Sequence, residues 1–311
     1  MARRKKGRAI HGWICIDKPP GLTSTDVVTR VRRALDAQKA GHAGTLDPIA
    51  TGILPVALGE ATKTVPHLVD ARKIYRFTAR WGEARTTDDS EGEVTATSTA
   101  RPANEAIRAA LPAFIGDIVQ RPPAYSALKV DGARAYDLAR AGEEVVLEPR
   151  EVTVYRAELV EVPDADRAIF EVECGKGTYI RALVRDMAEA LGTLGHVEAL
   201  RRTQVGTFDE VKAIGLDKFL ALSHDAAAEE HLLAVETPLD DIPAVPVTMG
   251  DAGRLRSGQA IFLRAGMKVP KPAELGGDGP AVLCTLGRGR PVALCALEAG
   301  SLRPVRVFNL F

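Results

Sequence analysis

Apolar residues recur along this chain at two distinct periods. Between Ile74 and Arg80 they alternate: Tyr75, Phe77 and Ala79 fall on one face, Arg76, Thr78 and Arg80 on the other. A two-residue period predicts a half-buried strand. Ala168 to Cys174 repeats the pattern, with Phe170, Val172 and Cys174 together. Trp13-Ile14-Cys15-Ile16 is an unbroken apolar run that stops at the turn cluster Lys18-Pro19-Pro20-Gly21, which predicts a short buried strand. The helical period is clearest from Ile180, where Ile180, Leu183, Val184, Met187, Ala188 and Leu191 form one stripe. Gly192 stands where a C-terminal cap belongs, and Arg181 and Arg185 would share the polar side of the first turns. Val27, Val28, Val31 and Leu35 mark another helix, capped by Ser24 or Thr25. Asn104 to Phe114 and Ala133 to Arg140 read as shorter helices.

Residues 40–64 are rich in Gly, Thr and Pro and poor in periodic apolar positions. That predicts a long loop, which in a compact domain usually carries function. Strands and helices mix without regular βαβ alternation, so the fold class is α+β. After about residue 245 the texture changes to short apolar runs, 281–286 and 292–297, separated by Gly and Pro. They read as strands of a small β-rich module. The expected organisation is a basic tail over 1–10, a main domain over 11–243 and the small module over 245–311.

Composition narrows the class. The 311 residues are 46% hydrophobic and 26% charged, ordinary for a globular protein with a real core. No apolar run approaches the ~18 residues needed to span a bilayer. The segment behind the basic start is too short for a signal peptide, so the cytosol is the expected compartment. Cys15, Cys174, Cys284 and Cys295 are scattered and the six histidines form no metal-binding cluster, which argues against disulfides and zinc. Net charge is zero, with 41 basic and 41 acidic residues, and gives no global sign of nucleic-acid binding. The distribution is nonetheless uneven. Cations gather at Arg3, Arg4, Lys5, Lys6 and Arg8, and again at Lys176, Arg181, Arg185, Arg201 and Arg202, while acid concentrates between Asp209 and Asp241. The basic tail fits a solvated end as well as a phosphate contact.

The long loop carries the first chemical candidate. In Gly41-His42-Ala43-Gly44-Thr45-Leu46-Asp47-Pro48-Ile49-Ala50-Thr51-Gly52, Asp47 precedes a proline and has glycines on both sides. Proline restricts the backbone around the carboxylate, and glycine permits close approach by another backbone or a ligand. An ordinary Asp-Pro turn fits the same residues. Gly175-Lys176-Gly177-Thr178 has the look of a phosphate loop. However, Phe170 stands where the first Gly is required, and Gly177 where Ser or Thr must follow the Lys.

These segments together carry a family resemblance. Lys39 to Pro55, continuing to Gly59-Glu60-Ala61-Thr62-Lys63, resembles the signature of the bacterial tRNA pseudouridine-55 synthases, the TruB family. Asp17-Lys18-Pro19-Pro20-Gly21 with Ser24, Lys73-Ile74-Tyr75, Gln120 to Lys129, Lys176 to Arg181 and Leu200-Arg201-Arg202 agree in the same order. The segment after 245 is similar to the RNA-binding PUA module that ends these enzymes, on the weak motif Leu255-Arg256-Ser257-Gly258-Gln259.

The resemblance implies an α+β catalytic domain with a mixed, mostly antiparallel sheet. It implies isomerisation of the T-loop uridine of tRNA with no cofactor, metal or obligatory protein partner, by a monomer. Asp47 would be the catalytic carboxylate, Arg181 its guanidinium partner, and Tyr75 the aromatic stacked on the base and a possible proton acceptor. His42 would help fill the vacated stack, Asp89 would contact the flipped nucleotide, and Tyr179 and Leu200 would line the pocket. Lys63 and Arg202 would contact RNA. Residues 121–150, with Lys129 and Arg134, would clamp the RNA loop. Three other readings fit parts of the same pattern: a pseudouridine synthase for another RNA, a non-catalytic tRNA-binding or folding module, and a hydrolytic glycosidase to which Asp88 and Asp89 would supply a second carboxylate.

Overall fold

A computed structural model describes residues 7–126, 128–130, 133–143, 145, 147–222, 226–269, 282–287, 289–298 and 300–310. Ten strands form the main sheet: β1 (Gly12–Lys18), β2 (Ala40–His42), β3 (Thr51–Leu58), β4 (Lys73–Trp81), β5 (Gly116–Gln120), β6 (Arg150–Asp164), β7 (Arg167–Cys174), β8 (Gly195–Val205), β9 (Phe208–Asp209) and β10 (Ile214–Gly215). Their order is β10-β1-β3-β8-β4-β7-β6-β5, with β9 beside β8 and β2 beside β3. The pairs β1·β10 and β3·β8 are parallel, and the other pairs are antiparallel. The fold is α+β with a mixed, mostly antiparallel sheet.

β4 follows the expected alternation. Phe77, Ala79 and Trp81 are buried, and Phe77 stacks on Phe170 of β7 with ring centroids 5.4 Å apart. β3 lies inside the segment expected to be loop. Its apolar run Ile53 to Leu58 is buried on both faces, so it shows no alternation to detect. Only residues 43–50 connect β2 to β3. β6, at 15 residues, gave no clear period because bulges shift its register against β7.

Helix α1 (Ser24–Ala34) is capped by Thr23, not by Ser24 or Thr25. The Thr23 side chain accepts from the Asp26 N–H, and Asp26 returns the bond to the Thr23 N–H. Ser24 is thereby released for another use. Helix α2 (Ile180–Ala190) buries its apolar stripe and ends at Gly192, whose φ of +70° needs no Cβ penalty to be overcome. Arg181 does not lie on an exposed face of α2: it is buried.

The C-terminal part forms a second sheet from β11 (Ala244–Pro246), β12 (Ile261–Phe262), β13 (Val282–Leu286), β14 (Arg290–Glu298) and β15 (Ser301–Val307), in the order β11-β13-β14-β15-β12. It has its own core around Val245, Leu255, Val292 and Leu302. It also shares one with the main sheet, where Leu283, Leu294 and Phe308 pack with Trp13, Ile53, Val205 and Phe208. The four cysteines are free. Among the described residues no helix is long and apolar enough to cross a membrane.

Candidate active site

The loop between β2 and β3 is stapled from several directions, which leaves its one carboxylate little freedom. Arg202 on β8 is fully buried and holds both ends of the loop. Its Nη2 donates to the Gly44 carbonyl (3.0 Å) and its Nε to the Ile53 carbonyl (2.9 Å). Gly52, at φ +98°, lies so close to β8 that a Cβ would fall 2.1 Å from the Arg202 carbonyl oxygen. Glycine is therefore required there by contact as well as by backbone angle. Ser24 grips the middle of the loop: its hydroxyl accepts from the Leu46 N–H (2.8 Å) and donates to the Leu46 carbonyl (3.1 Å). The Pro48 carbonyl accepts from Lys18 Nζ (3.2 Å) and from the Gly21 N–H (2.9 Å).

Asp47 is thus presented beside Arg181 at the start of α2. Arg181 Nη2 lies 2.8 Å from Asp47 Oδ2, with the Asp47 side chain 35% exposed and that of Arg181 only 4%. The guanidinium is held on every side. Nη1 donates to the Thr87 carbonyl (2.8 Å), Nη2 to the Tyr125 carbonyl (2.9 Å), and Nε faces Asp89 at 3.6 Å. Asp89 is buried beneath the arginine and accepts from the Thr87 hydroxyl and the Glu91 N–H. The structure therefore brings Asp89 to Arg181 and not to the cleft.

That cleft, of about 260 Å3, is lined by Asp47, Tyr75, Tyr179, Arg181, Leu200 and Arg202, and also by Lys73, Ser126 and the turn 175–178. Burial raises the pKa of Tyr75, against the opposing influence of nearby Arg202. Burial likewise raises that of Tyr179, whose backbone is clamped by the buried Gln120. Gln120 Oε1 accepts from the Tyr179 N–H (3.1 Å) and Nε2 donates to its carbonyl (3.4 Å). Burial pushes Lys18 and Lys73 down to about 8, with Arg202 adding to the effect on both, and for Lys18 nearby Asp47 opposes it.

The remaining expected residues fall elsewhere. His42 lies on β2, outside the cleft lining. Burial and then Arg202 lower its pKa, and its buried Nδ1 has no hydrogen-bond partner. Lys63 Nζ donates to Glu60 (2.6 Å) and to the Val307 carbonyl (2.7 Å), so it is turned toward the C-terminal sheet. Lys129 and Arg134 pair across a two-stranded hairpin, and their side chains lie outside the described residues. Ser24, Lys18, Lys73 and Gln120 were missed as supporting residues. The turn cluster at Lys18 and the proximity of Lys73 to Tyr75 were visible, but their burial was not. Among the described residues, no group of three or more His, Cys, Asp or Glu side chains is placed to hold a metal ion.

The fold is shared with chains of two solved complexes. One is titled as an H/ACA RNP bound to a substrate RNA containing 2'-deoxyuridine, with TM-score 0.72, 23% identity, 99% of this chain and 91% of that chain covered. The other is a Cbf5-Nop10-Gar1 complex, with TM-score 0.71, 27% identity, 96% and 84% covered. Residues 32–180 match the family model for the N-terminal domain of TruB family pseudouridylate synthases, and 181–242 that for the tRNA pseudouridylate synthase B C-terminal domain. The tRNA pseudouridine synthase B of Caulobacter vibrioides is 58% identical over the full length of both chains. That of Bradyrhizobium diazoefficiens is 55% identical, covering 99% of this chain and 88% of its own, and that of Rhodospirillum rubrum 51% over the whole of both. The chain belongs to the TruB family of pseudouridylate synthases.

Proposed function

We propose that this protein is a tRNA pseudouridine synthase acting on the T-loop uridine, with Asp47 as its catalytic carboxylate. The observation that supports it most directly is a half-exposed carboxylate held 2.8 Å from a buried arginine, in a cleft wide enough for one base and walled by Tyr75 and Leu200. A base inside a folded RNA loop is unreachable in place, so the uridine is everted at a cost of a few kcal/mol. The C1′–N1 bond then breaks, the uracil turns, C1′ joins C5, and the proton lost from C5 is balanced by one gained at N1. Asp47 either attacks C1′ or removes a ribose proton. Arg181 aims it through Nη2, its own plane held by Asp89 and the Thr87 and Tyr125 carbonyls, and Tyr75 stacks on the base. Tyr179, Leu200 and Arg202 shape the pocket, and His42 fills the vacated stack. Lys63, Lys129 and Arg134 belong to the RNA-contacting surface, together with a PUA-type C-terminal module. The enzyme works as a cytoplasmic monomer on tRNA without a protein partner.

The test is incubation with unmodified tRNA, followed by chemical mapping of pseudouridine. The wild-type protein converts the T-loop uridine, leaving RNA mass unchanged. Asp47→Asn loses turnover by at least about 10³-fold, the scale on which an essential catalytic group is lost, while tRNA affinity holds. Unimpaired turnover in Asp47→Asn would overturn the reading. Free uracil would indicate hydrolysis, and modification of an rRNA fragment in place of tRNA a different substrate.

A further inference from the structure

Among the described residues, three buried cations of this domain, Lys18, Lys73 and Arg202, make no ion pair with a carboxylate. Lys18 donates to the Pro19 and Pro48 carbonyls, Arg202 to Gly44 and Ile53, and Lys73 to Val69 and Ala71. Carbonyls satisfy their hydrogen bonds but do not neutralise their charge, and buried charge is costly without a counter-ion. Lys18 and Arg202 have an evident duty in stapling the Asp47 loop. Lys73 does not touch that loop. It lines the cleft, is 94% buried by its 6% exposure, and spends two of its three ammonium N–H groups on carbonyls.

The wall beside Lys73 is also short of acceptors. The turn Gly175-Lys176-Gly177-Thr178, too irregular to be a nucleotide loop, leads into α2 and lines the same cleft. Tyr179, at the N-cap of α2, makes no side-chain cap; its own N–H is taken by Gln120 and Asp47 pairs with Arg181 in the first turn, so the positive end of that eleven-residue helix is only partly covered. Ser126, 4% exposed, lines the cleft as well. It sits beside the Tyr179 side chain, yet its hydroxyl has no partner in hydrogen-bond geometry. A buried cation, a partly covered helix start and a hydroxyl without a partner in hydrogen-bond geometry thus converge on one wall. All three suit an oxyanion.

We infer that Lys73, Ser126 and the 175–178 turn form a phosphate subsite that takes a phosphodiester flanking the everted uridine. This rests on the uridine-isomerising reading above. Lys73 and Tyr75 share a face of β4 two residues apart, about 6.6 Å along the strand. That is comparable with the distance from a nucleobase to the neighbouring phosphate of its own strand. With Tyr75 under the base, Lys73 meets the backbone beside it. The subsite fixes the strand as it enters the cleft and so acts on substrate capture more than on the bond-breaking step.

The experiment uses the full chain and T-arm hairpins in which each phosphate flanking the target uridine is replaced in turn by a neutral methylphosphonate. At one of the two positions the wild-type KM rises about tenfold with kcat within about threefold, the signature of lost binding without lost transition-state contact. Lys73→Met shows the same rise on the unmodified hairpin and no further rise on the neutral one. In the Asp47→Asn background, Lys73→Met lowers the slope of log Kd against log salt by about 0.7, one phosphate contact, and Lys73→Arg restores it. Equal KM for all hairpins with the wild-type protein overturns the inference, and that arm depends on no variant folding. An unchanged salt slope in Lys73→Met overturns it too. Either failure leaves intact pseudouridine formation on the unmodified hairpin. Absence of that product would instead sink the reading beneath.

Discussion

The two faces of the main sheet handle positive charge in opposite ways. On the solvent face, cations sit in ion pairs: Arg80 and Arg167 share Glu198, Arg156 meets Glu158 and Glu171, and Arg201 bridges Asp17 and Glu210. These side chains are all a quarter or more exposed. On the cleft side Lys18, Lys73 and Arg202 are buried and lean on carbonyl oxygens, buried Arg181 is gripped by Asp47 and Asp89, and exposed Lys176 pairs with Asp70. A net charge of zero therefore says little about nucleic-acid binding here. Acid neutralises the face that water already screens, and positive charge is left unbalanced where a polyanion would enter.

The largest test of this contrast is Arg181→Met. It strands Asp89 as a buried carboxylate without its counter-ion and leaves the Thr87 and Tyr125 carbonyls unpaired. We expect a loss of about 3–5 kcal/mol in folding free energy by chemical denaturation, as for other broken buried pairs. Activity should be lost as well. Arg181→Lys should not rescue it, because an ammonium cannot reach Asp47, Asp89 and both carbonyls from one rigid plane. A variant as stable as the wild type would show that Asp89 is not held by this contact. Gly52→Ala comes next. The added methyl group meets the Arg202 carbonyl at 2.1 Å in a left-handed backbone. The expected cost is about 3 kcal/mol, with turnover falling as the Asp47 loop shifts.

These two sites also mark where sequence was informative and where it was not. Asp47 was legible because proline and glycine are local signals, and the structure uses Gly52 as expected, for close approach of a backbone. Tyr75 and Phe77 on one strand face followed directly from alternation. Adjacent Asp88 and Asp89 look alike in sequence, so their different surroundings are not legible there. Only the fold decides that Asp89 turns inward to Arg181 while Asp88, at φ +58°, pairs with Arg185. A hydroxyl at a helix start predicts a cap at Ser24 or Thr25, but Thr23 takes that role and frees Ser24 for Leu46. The shared core of Trp13 and Phe208 with Leu283, Leu294 and Phe308 was invisible, since no periodicity reports which distant apolar faces meet.

A third test uses pH. Lys18 is held near 8 by burial, against 10.5 for the ordinary group. Between those values the unfolded chain binds a proton that the folded chain has released, so this lysine makes stability rise with pH. Buried Cys174, pushed up to about 11, works in the opposite sense over part of that window, so the wild-type curve alone is ambiguous. The difference between wild type and Lys18→Met isolates the lysine. That difference should move in favour of the wild type by on the order of 2 kcal/mol from pH 8 to 10.5, read from urea midpoints. Parallel curves would mean that Lys18 keeps an ordinary pKa and that its charge is balanced by groups other than those described.

The smallest expected effect is the sharpest check on the solvent face. Arg156 contacts two glutamates, Glu158 at 2.8 Å and Glu171 at 2.6 Å, and by contact count alone it should matter more than Lys18, which touches no carboxylate. Exposure reverses that ranking. Both pairs are open to water and salt, where ion pairs contribute about 0–1 kcal/mol. Arg156→Ala should therefore cost less than about 1 kcal/mol, most of it gone in 0.5 M salt, with turnover and tRNA affinity unchanged. A larger, salt-insensitive loss would show that the ladder is structural after all. A loss of tRNA affinity would place RNA on this face as well, and the division of labour between the two sides of the sheet would fail.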